Sequence, residues 1–445
     1  MRTAILILMG IFTLSTGHTQ DQEQTSGFSI NQAVEYAVAN NLNAQNARLD
    51  VTSAQKRIWE TAATGLPQVN ASANYNNNLS LATTLIPDFF NDPTQKIEVQ
   101  FGTKHYAAAG VSASQLIFSG EYFIGLQTAK LYREFSMKNQ KLTEQQVKES
   151  VIQGYYLVLL ARNSLRAIKG NLQNMKATYN ETNELYKAGF VEENEVDQIK
   201  ITLIDLENAV SSMKRQHVAA KSLLKYQMGV NLEEKIMLTD SLPDLVSALE
   251  YQALISRELK ISQNINYRIL SDQEKLAQMD MKAKRAEFLP SLSAFFSLDY
   301  TAQRDEFSLF DTDEDWFEAS AIGVSFNMPI FSSGQRAAGL AQKKIEHQKA
   351  VNNKEFAAEG LKVDFMQAKY DLANAFEQYN REKKNMALAE KIITNTQYKY
   401  NEGVASSLEL TQVNDQYLQT LNNYYTAMVD LLNSKLKLDV LMNKL

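Results

Sequence analysis

The sequence predicts a mainly α-helical chain with a β part, built as an internal duplication in which each half supplies two strands. Three observations predict it. The six prolines stand at 67, 87, 93, 243, 290 and 329, so 94–242 and 330–445 are free of the residue that breaks a helix ladder. The segments after Pro67 and Pro290 alternate apolar and polar residues with a period of two. Residues from Gly120 onward recur 214 positions later without a gap: Gly120 on Gly334, Gly125-Leu126 on Gly339-Leu340, Tyr156 on Tyr370 and Tyr186 on Tyr400.

Taken in order, the chain starts with an address. Arg2, an apolar run from Ala4 to Leu14 and a small-residue stretch read as a signal peptide over 1–20, with cleavage after Gly17 or nearer Gln20. The first repeat spans 21–240 and the second 241–445. Upstream of the long helices the repeat offset is 223, setting Asn41 on Asn264 and Leu66-Pro67 on Leu289-Pro290. The first copy is therefore about ten residues longer between Pro67 and Phe118. From Gly120 to about Ala188, and from about Gln335 to Asn401, good helix formers dominate. At ~1.5 Å per residue each is a rod of roughly 100 Å, longer than globular helices run.

Between the helices lie strands. Leu292, Ala294, Phe296, Leu298 and Tyr300 oppose Ser291, Ser293, Ser297 and Asp299, and Ile322, Val324, Phe326 and Met328 oppose Ser320, Gly323, Ser325 and Asn327. In the first half Val69, Ala71, Ala73 and Tyr75 oppose Asn70, Ser72, Asn74 and Asn76; 106–118 has the weakest pattern of the four. Two environments fit: a sheet packed on helices, or a barrel wall with lipid on one side and a wet lumen on the other. The Asn/Ser-rich faces favour the lumen. Four strands cannot close a barrel, and open edges do not survive in lipid, so two copies would give eight strands and three would give twelve. The loops 82–100 and 302–318 then face outside, with Phe89, Phe90, Trp316 and Phe317 as an aromatic girdle. Asp311, Asp313, Glu314 and Asp315 read as a solvated acidic loop, because the spacing of a Ca²⁺ loop is missing.

The composition excludes several classes. There is no cysteine, hence no disulfide, thiolate chemistry or lipoprotein anchor, and the net charge of −6 argues against nucleic acid. No Walker A, G-x-G-x-x-G, G-x-S-x-G or His-x-x-x-His appears, so the chain is not expected to be an enzyme or to hold a metal or cofactor.

The signal peptide, the duplication, the two Leu-Pro joints, the two strand pairs and the two Tyr-x-x-Gly turns resemble the TolC-like outer-membrane factors of Gram-negative efflux and type I secretion systems. The resemblance covers roughly 28–443. It implies a homotrimer whose twelve strands form one barrel in outer-membrane lipid and whose helices continue as a long periplasmic α-helical barrel. It implies a passive channel that exports substrates as part of a tripartite system, with a periplasmic adaptor protein and an inner-membrane transporter as partners. The runner-up reading is a secreted or periplasmic coiled-coil scaffold without a pore, which has no use for duplicated lipid-facing strands.

In the family the periplasmic helix–turn–helix tips close the tunnel and meet the adaptor. The matching tips here are Tyr186, Gly189 and Phe190 and, in the second copy, Tyr400, Gly403 and Val404. Each glycine suits the left-handed position that ends a helix. The gate candidates carried over are Tyr400, Glu409 and Gln412, with Glu195 and Gln198 in the first copy. Family members carry two carboxylates where this chain has Glu409 and Gln412; the amide removes the warrant for a doubled acidic constriction. Three Glu409 carboxylates around one axis would still attract cations. The residues also allow a plainer role, because Ser406-Ser-Leu-Glu409 matches a capping box and Glu192, Glu193 and Glu195 suit a helix N-terminus.

Overall fold

A computed structural model describes residues 26–89, 94–311 and 313–445. The signal segment and Phe90 lie outside the described residues. The elements are β1 (Ser26–Phe28), α1 (Ile30–Asn40), α2 (Leu42–Ala63), β2 (Gln68–Asn77), β3 (Thr83–Pro87), β4 (Lys96–Gln100), β5 (His105–Ser119), α3 (Gly120–Lys187) and α4 (Glu193–Met228). There follow β6 (Ile236–Leu238), α5 (Leu242–Ser247), α6 (Tyr251–Ile255), α7 (Ile265–Ala286), β7 (Ser291–Arg304), β8 (Phe317–Asn327), α8 (Gln335–Asn401) and α9 (Ser407–Leu441). The two long helices, α3 and α8, have 68 and 67 residues and end within a residue of where the sequence puts them.

The chain divides into two compact units. One comprises Leu42–Glu149, Tyr251–Asn374 and Ser434–Leu445 and carries the main sheet. Its strand order is β2-β5-β7-β8, all antiparallel. Residues directly opposite in register project to the same side, so the sheet can be read in rows. One side carries Val69–Ala113–Phe296–Ile322 and Ala71–Val111–Leu298. The other carries Asn70–Ser112–Ser297–Ala321 and Ser72–Gly110–Asp299. The alternation seen in single strands thus adds up to one mainly apolar face and one mainly polar face. Ser320, read in the sequence with the polar set, instead lies opposite Leu298 on the apolar side with Ile322, and Phe295 lies opposite Gly323 on the polar side. Ile322, Val324, Phe326 and Val69 are exposed in the single chain, at 64–85%. Outermost β2 and β8 each pair on one side only. Strand β5 has the weakest alternation yet is the longest, at 15 residues. Its small Ala107 and Ala109 each face one tyrosine and one alanine, Ala107 between Tyr75 of β2 and Ala302 of β7 and Ala109 between Ala73 and Tyr300, so neighbours rather than propensity set it.

The helix-to-strand joints that lead into the sheet have the same geometry in both repeats. After α2, Leu66 N donates to Ala63 O at 3.0 Å; after α7, Leu289 N donates to Ala286 O at 2.9 Å. Pro67 and Pro290 follow, stopping each helix and starting each strand. Between β2 and β5 the structure has a further hairpin, β3–β4, inside what the sequence reads as a variable loop. Its signal in the sequence is slight: Ile97 and Val99 alternate with Lys96, Glu98 and Gln100, whereas Leu85 and Ile86 are adjacent and do not alternate. Near the acidic loop Arg304 pairs with Glu314 and donates to Asp315 O at 2.7 Å, and Ser308 Oγ donates to Glu314 at 2.7 Å. Among the described residues no group of acidic and histidine side chains has the arrangement of a metal site, and no helix is long and apolar enough to cross a membrane.

Among the described residues the other unit comprises 26–41, Ser150–Glu250 and Ala375–Asn433. Here β1 and β6 form a parallel pair, seated by the buried Tyr155, whose hydroxyl lies 2.8 Å from Phe28 O and 2.9 Å from Asp240 Oδ2. Burial, with Asp240 beside it, raises the Tyr155 pKa far above the ordinary phenol. Ser29 caps α1 in a full capping box with Gln32, worth about 1 kcal/mol. One contact recurs across the repeat. Asn41 Nδ2 donates to Gln227 O at 2.8 Å in this unit, and in the other unit Asn264 Nδ2 donates to Leu441 O at 3.0 Å.

Candidate functional site

The tips are two nearly identical turns. Gly189 has φ +78° and Gly403 φ +70°, a region closed to most L-residues. In each turn the glycine N–H and the next N–H fold back onto the helix end. Gly189 N donates to Tyr186 O at 2.9 Å and Phe190 N to Leu185 O at 2.9 Å. In the second copy Gly403 N donates to Tyr400 O at 3.0 Å and Val404 N to Lys399 O at 2.8 Å. This closure satisfies carbonyls that a helix end leaves open. It also turns the following side chain outward: Phe190 is 78% and Val404 75% exposed. Tyr186 is part exposed beside Phe190.

Behind the turns the α3–α4 hairpin meets the α8–α9 hairpin along a polar ladder. Tyr400 Oη and Thr182 Oγ1 are 2.7 Å apart. Ser407 Oγ donates to Gln198 Oε1 at 2.7 Å, Thr202 and Thr411 hydroxyls meet at 3.2 Å, and Asn171 Nδ2 donates to Asn414 Oδ1 at 2.6 Å. Thr182, Ser407 and Asn414 are almost fully buried. Beside the ladder, Met175, Ile199 and Leu206 form a small apolar core packed by Leu172, Leu203 and Tyr400. Tyr400 is held above the ordinary tyrosine pKa first by burial and then by the charges of Glu195 and Glu181, with the Thr182 bond acting the other way.

The predicted gate residues therefore separate into two groups. Tyr400, Glu195 and Gln198 come together at the seam between the hairpins. Glu409 and Gln412 are exposed on α9. Ser406 Oγ accepts from Glu409 N at 3.2 Å, so the cap uses the backbone of Glu409 and its carboxylate is exposed. The polar partners Thr182, Ser407, Thr411 and Asn414 are not among the sequence candidates. Their signal is spacing: 407, 411 and 414 follow the i, i+4, i+7 stripe that usually carries apolar residues.

A family model described as outer membrane efflux protein matches residues 33–230 and 271–444. The chain belongs to this family. No curated protein sequence matches it significantly. Among solved structures, the fold is similar to the CmeC outer membrane channel of Campylobacter jejuni, with TM-score 0.73 and 17% identity over 99% of this chain and 94% of that one. It is similar to CusC, with TM-score 0.70 and 17% identity over 93% and 91% of the two chains. It is also similar to the open state of the MtrE outer membrane channel of Neisseria gonorrhoeae, with TM-score 0.71 and 16% identity over 93% and 88%. As an outer membrane efflux protein the chain is a TolC-like efflux channel of the Gram-negative outer membrane, with a periplasmic extension.

In this efflux protein a groove of about 410 Å³ lies next to the ladder, lined among others by Asp205, Thr411, Asn414 and Asp415. Burial, and secondarily the charge of Asp205, raises the Asp415 pKa. The folded chain thus holds this proton more tightly than the unfolded chain, and stability falls as pH rises from the ordinary Asp value near ~3.9 through the folded pKa. Asp415→Asn is expected to raise the unfolding temperature at pH 7 and to lose that advantage near pH ~3.5. Parallel melts at the two pH values check it.

Proposed function

We propose that three copies of the chain close into one twelve-strand barrel continued by an α-helical barrel, forming a passive export duct. The observation that carries this is the sheet: two faces of opposite polarity and two strands, β2 and β8, each paired on one side only. An edge left open in hydrocarbon costs several kcal/mol per unsatisfied group. Pairing β8 of one chain with β2 of the next removes it, and twelve strands lie within the range of known outer-membrane barrels. Exposed apolar residues along α8, among them Phe356 at 83% and Tyr370 at 64%, give the helices a surface for neighbouring subunits. The repeats 21–240 and 241–445 then each supply one strand pair and one helical hairpin to the ring. A poreless scaffold would leave the two-faced sheet without a role.

On this reading the chain binds no nucleotide. An inner-membrane transporter supplies the energy, and a periplasmic adaptor joins the two. The exposed Phe190 and Val404, set by Gly189 and Gly403 beside Tyr186, are the adaptor contacts. Tyr400, with Glu195 and Gln198, holds the resting tip closed, and Glu409 and Gln412 line the opening. The experiment that tests the assembly is the native mass of the detergent-extracted protein. A trimer lies near three times the 50.2 kDa chain, about 150 kDa before signal loss. A monomer or a detergent-free dimer would overturn the reading.

The gate makes its own prediction. Tyr400→Phe removes the Thr182 hydrogen bond, worth about 1 kcal/mol per subunit and so about 3 kcal/mol in a ring of three, so single channels in planar bilayers are expected to open up to about a hundredfold more often. Glu409→Gln is expected to weaken cation preference without changing the opening frequency. Unchanged recordings for both would remove these residues from the gate.

A further inference from the structure

The two repeats have diverged sharply in charge. Residues 151–180 of α3 and 208–232, mostly α4, hold eight Lys and Arg and no Asp or Glu, in a chain of net charge −6. Of the eight positions 214 further on, only Lys383 (for Lys169) and Lys435 (for Lys221) keep the charge; Arg162 corresponds to Phe376, Lys176 to Glu390, Lys214 to Met428 and Lys225 to Asp439. The cations are also ordered. Arg162, Lys169 and Lys176 recur every seven residues along one side of α3, and Lys214, Lys221 and Lys225 keep to one side of α4. Seven residues advance a helix by about 10 Å.

The two rows share one face. Arg162 Nη1 donates to Leu238 O at 2.7 Å and Lys221 Nζ to Ile236 O at 3.2 Å, both on β6. Burial and neighbouring cations hold the pKa values of His217 and Lys221 down. Arg162 Nε and His217 Nδ1 are buried and have no hydrogen-bond partner within the described chain. Lys169, Lys176, Lys214 and Arg215 are exposed. The appended β1–β6 pair rides on this face, and a helical duct must keep such an appendage outside its bore.

We propose that this stripe docks the carboxylate-bearing glycan–peptide polymer of the cell wall. The proposal rests on the periplasmic duct read above. A polyanion supplies what the stripe lacks, a series of counter-charges. Five of the eight cations are lysines. Lysine is depleted at the centres of protein interfaces, whereas a hydrated, flexible polymer accommodates its mobile charge.

The test is co-sedimentation of the full-length, detergent-solubilised protein with isolated cell-wall sacculi. The wild type is expected to bind at about 20 mM NaCl and to be released near about 300 mM, where screening is strong. The variant Lys169→Gln/Lys176→Gln/Lys214→Gln/Arg215→Gln spares the two groups that hold β6. Its binding at low salt is expected to fall about tenfold, the combined effect of four weak surface ion contacts. Lys169→Arg/Lys176→Arg/Lys214→Arg keeps binding, as does a second-repeat control, Lys383→Gln/Lys384→Gln/Lys391→Gln/Lys399→Gln. Wild-type protein that stays in the supernatant overturns the proposal. So does equal loss in the stripe and control variants, or a stripe variant that binds sacculi normally and loses an acidic protein partner instead. Native mass and conductance on the same samples report separately on the duct, which can stand when the docking fails.

Discussion

Ile322→Arg is expected to remove most of the protein from the outer membrane, and Ala321→Arg, one residue away, is expected to leave it there. Ile322 sits mid-strand in β8, in the row with Val69, Ala113 and Phe296, and is 85% exposed in the single chain. Arginine at the lipid midplane of a barrel costs about 2–4 kcal/mol, and a symmetric ring incurs that cost in every subunit. Ala321 belongs to the row with Asn70, Ser112 and Ser297, where in the proposed barrel a charge meets water. Its expected effect is a shift of the channel toward anions. Quantifying heat-resistant oligomer in outer-membrane fractions checks the first substitution, and bilayer reversal potentials check the second. Equal damage from both would mean that the polar face is not wet.

The second large effect is expected at Asp272. Its side chain is 1% exposed on α7, bonded to Lys138 of α3, with Lys275 Nζ 3.6 Å away. Breaking a buried pair by removing one partner costs about 3–5 kcal/mol, because the other charge stays behind. Asp272→Ala is therefore expected to lower the melting temperature of the detergent-solubilised protein markedly. Lys138→Met/Asp272→Leu, which removes both charges, is expected to recover most of the loss. A double variant as unstable as the single one would show that shape, not charge, is what Asp272 supplies.

The parts of the fold set by local rules were legible in the sequence. The bounds of α3 and α8 follow from proline-free runs of helix formers, and the joints at Pro67 and Pro290 follow from proline's fixed backbone. The four main strands follow from their alternation. The pairs β1–β6 and β3–β4 were not legible in the same way. Three-residue strands carry too little pattern, and a hairpin inside a loop is masked by the turn residues around it. At the tips, Gly189 and Gly403 were readable because a positive φ has few solutions. Thr182, Ser407 and Asn414 were not, because each bonds to a residue more than 200 positions away or receives one from there. A lone polar residue on a helix looks the same whether it meets water or another helix.

The unlike edges of the sheet also bear on how an assembly grows. Strand β2 begins the sheet and β8 ends it, running in opposite directions. Chains that share one orientation in a bilayer can then join antiparallel only head to tail, β8 onto β2, and two β8 edges never match. Each incomplete arc keeps one raw edge at either end, however many chains it holds. In a ring of three the second chain makes one seam, whereas the third makes two at once. Assembly should therefore be cooperative, with dimers scarce at every concentration, and a subunit with a damaged β8 edge should poison whole rings rather than merely dilute them.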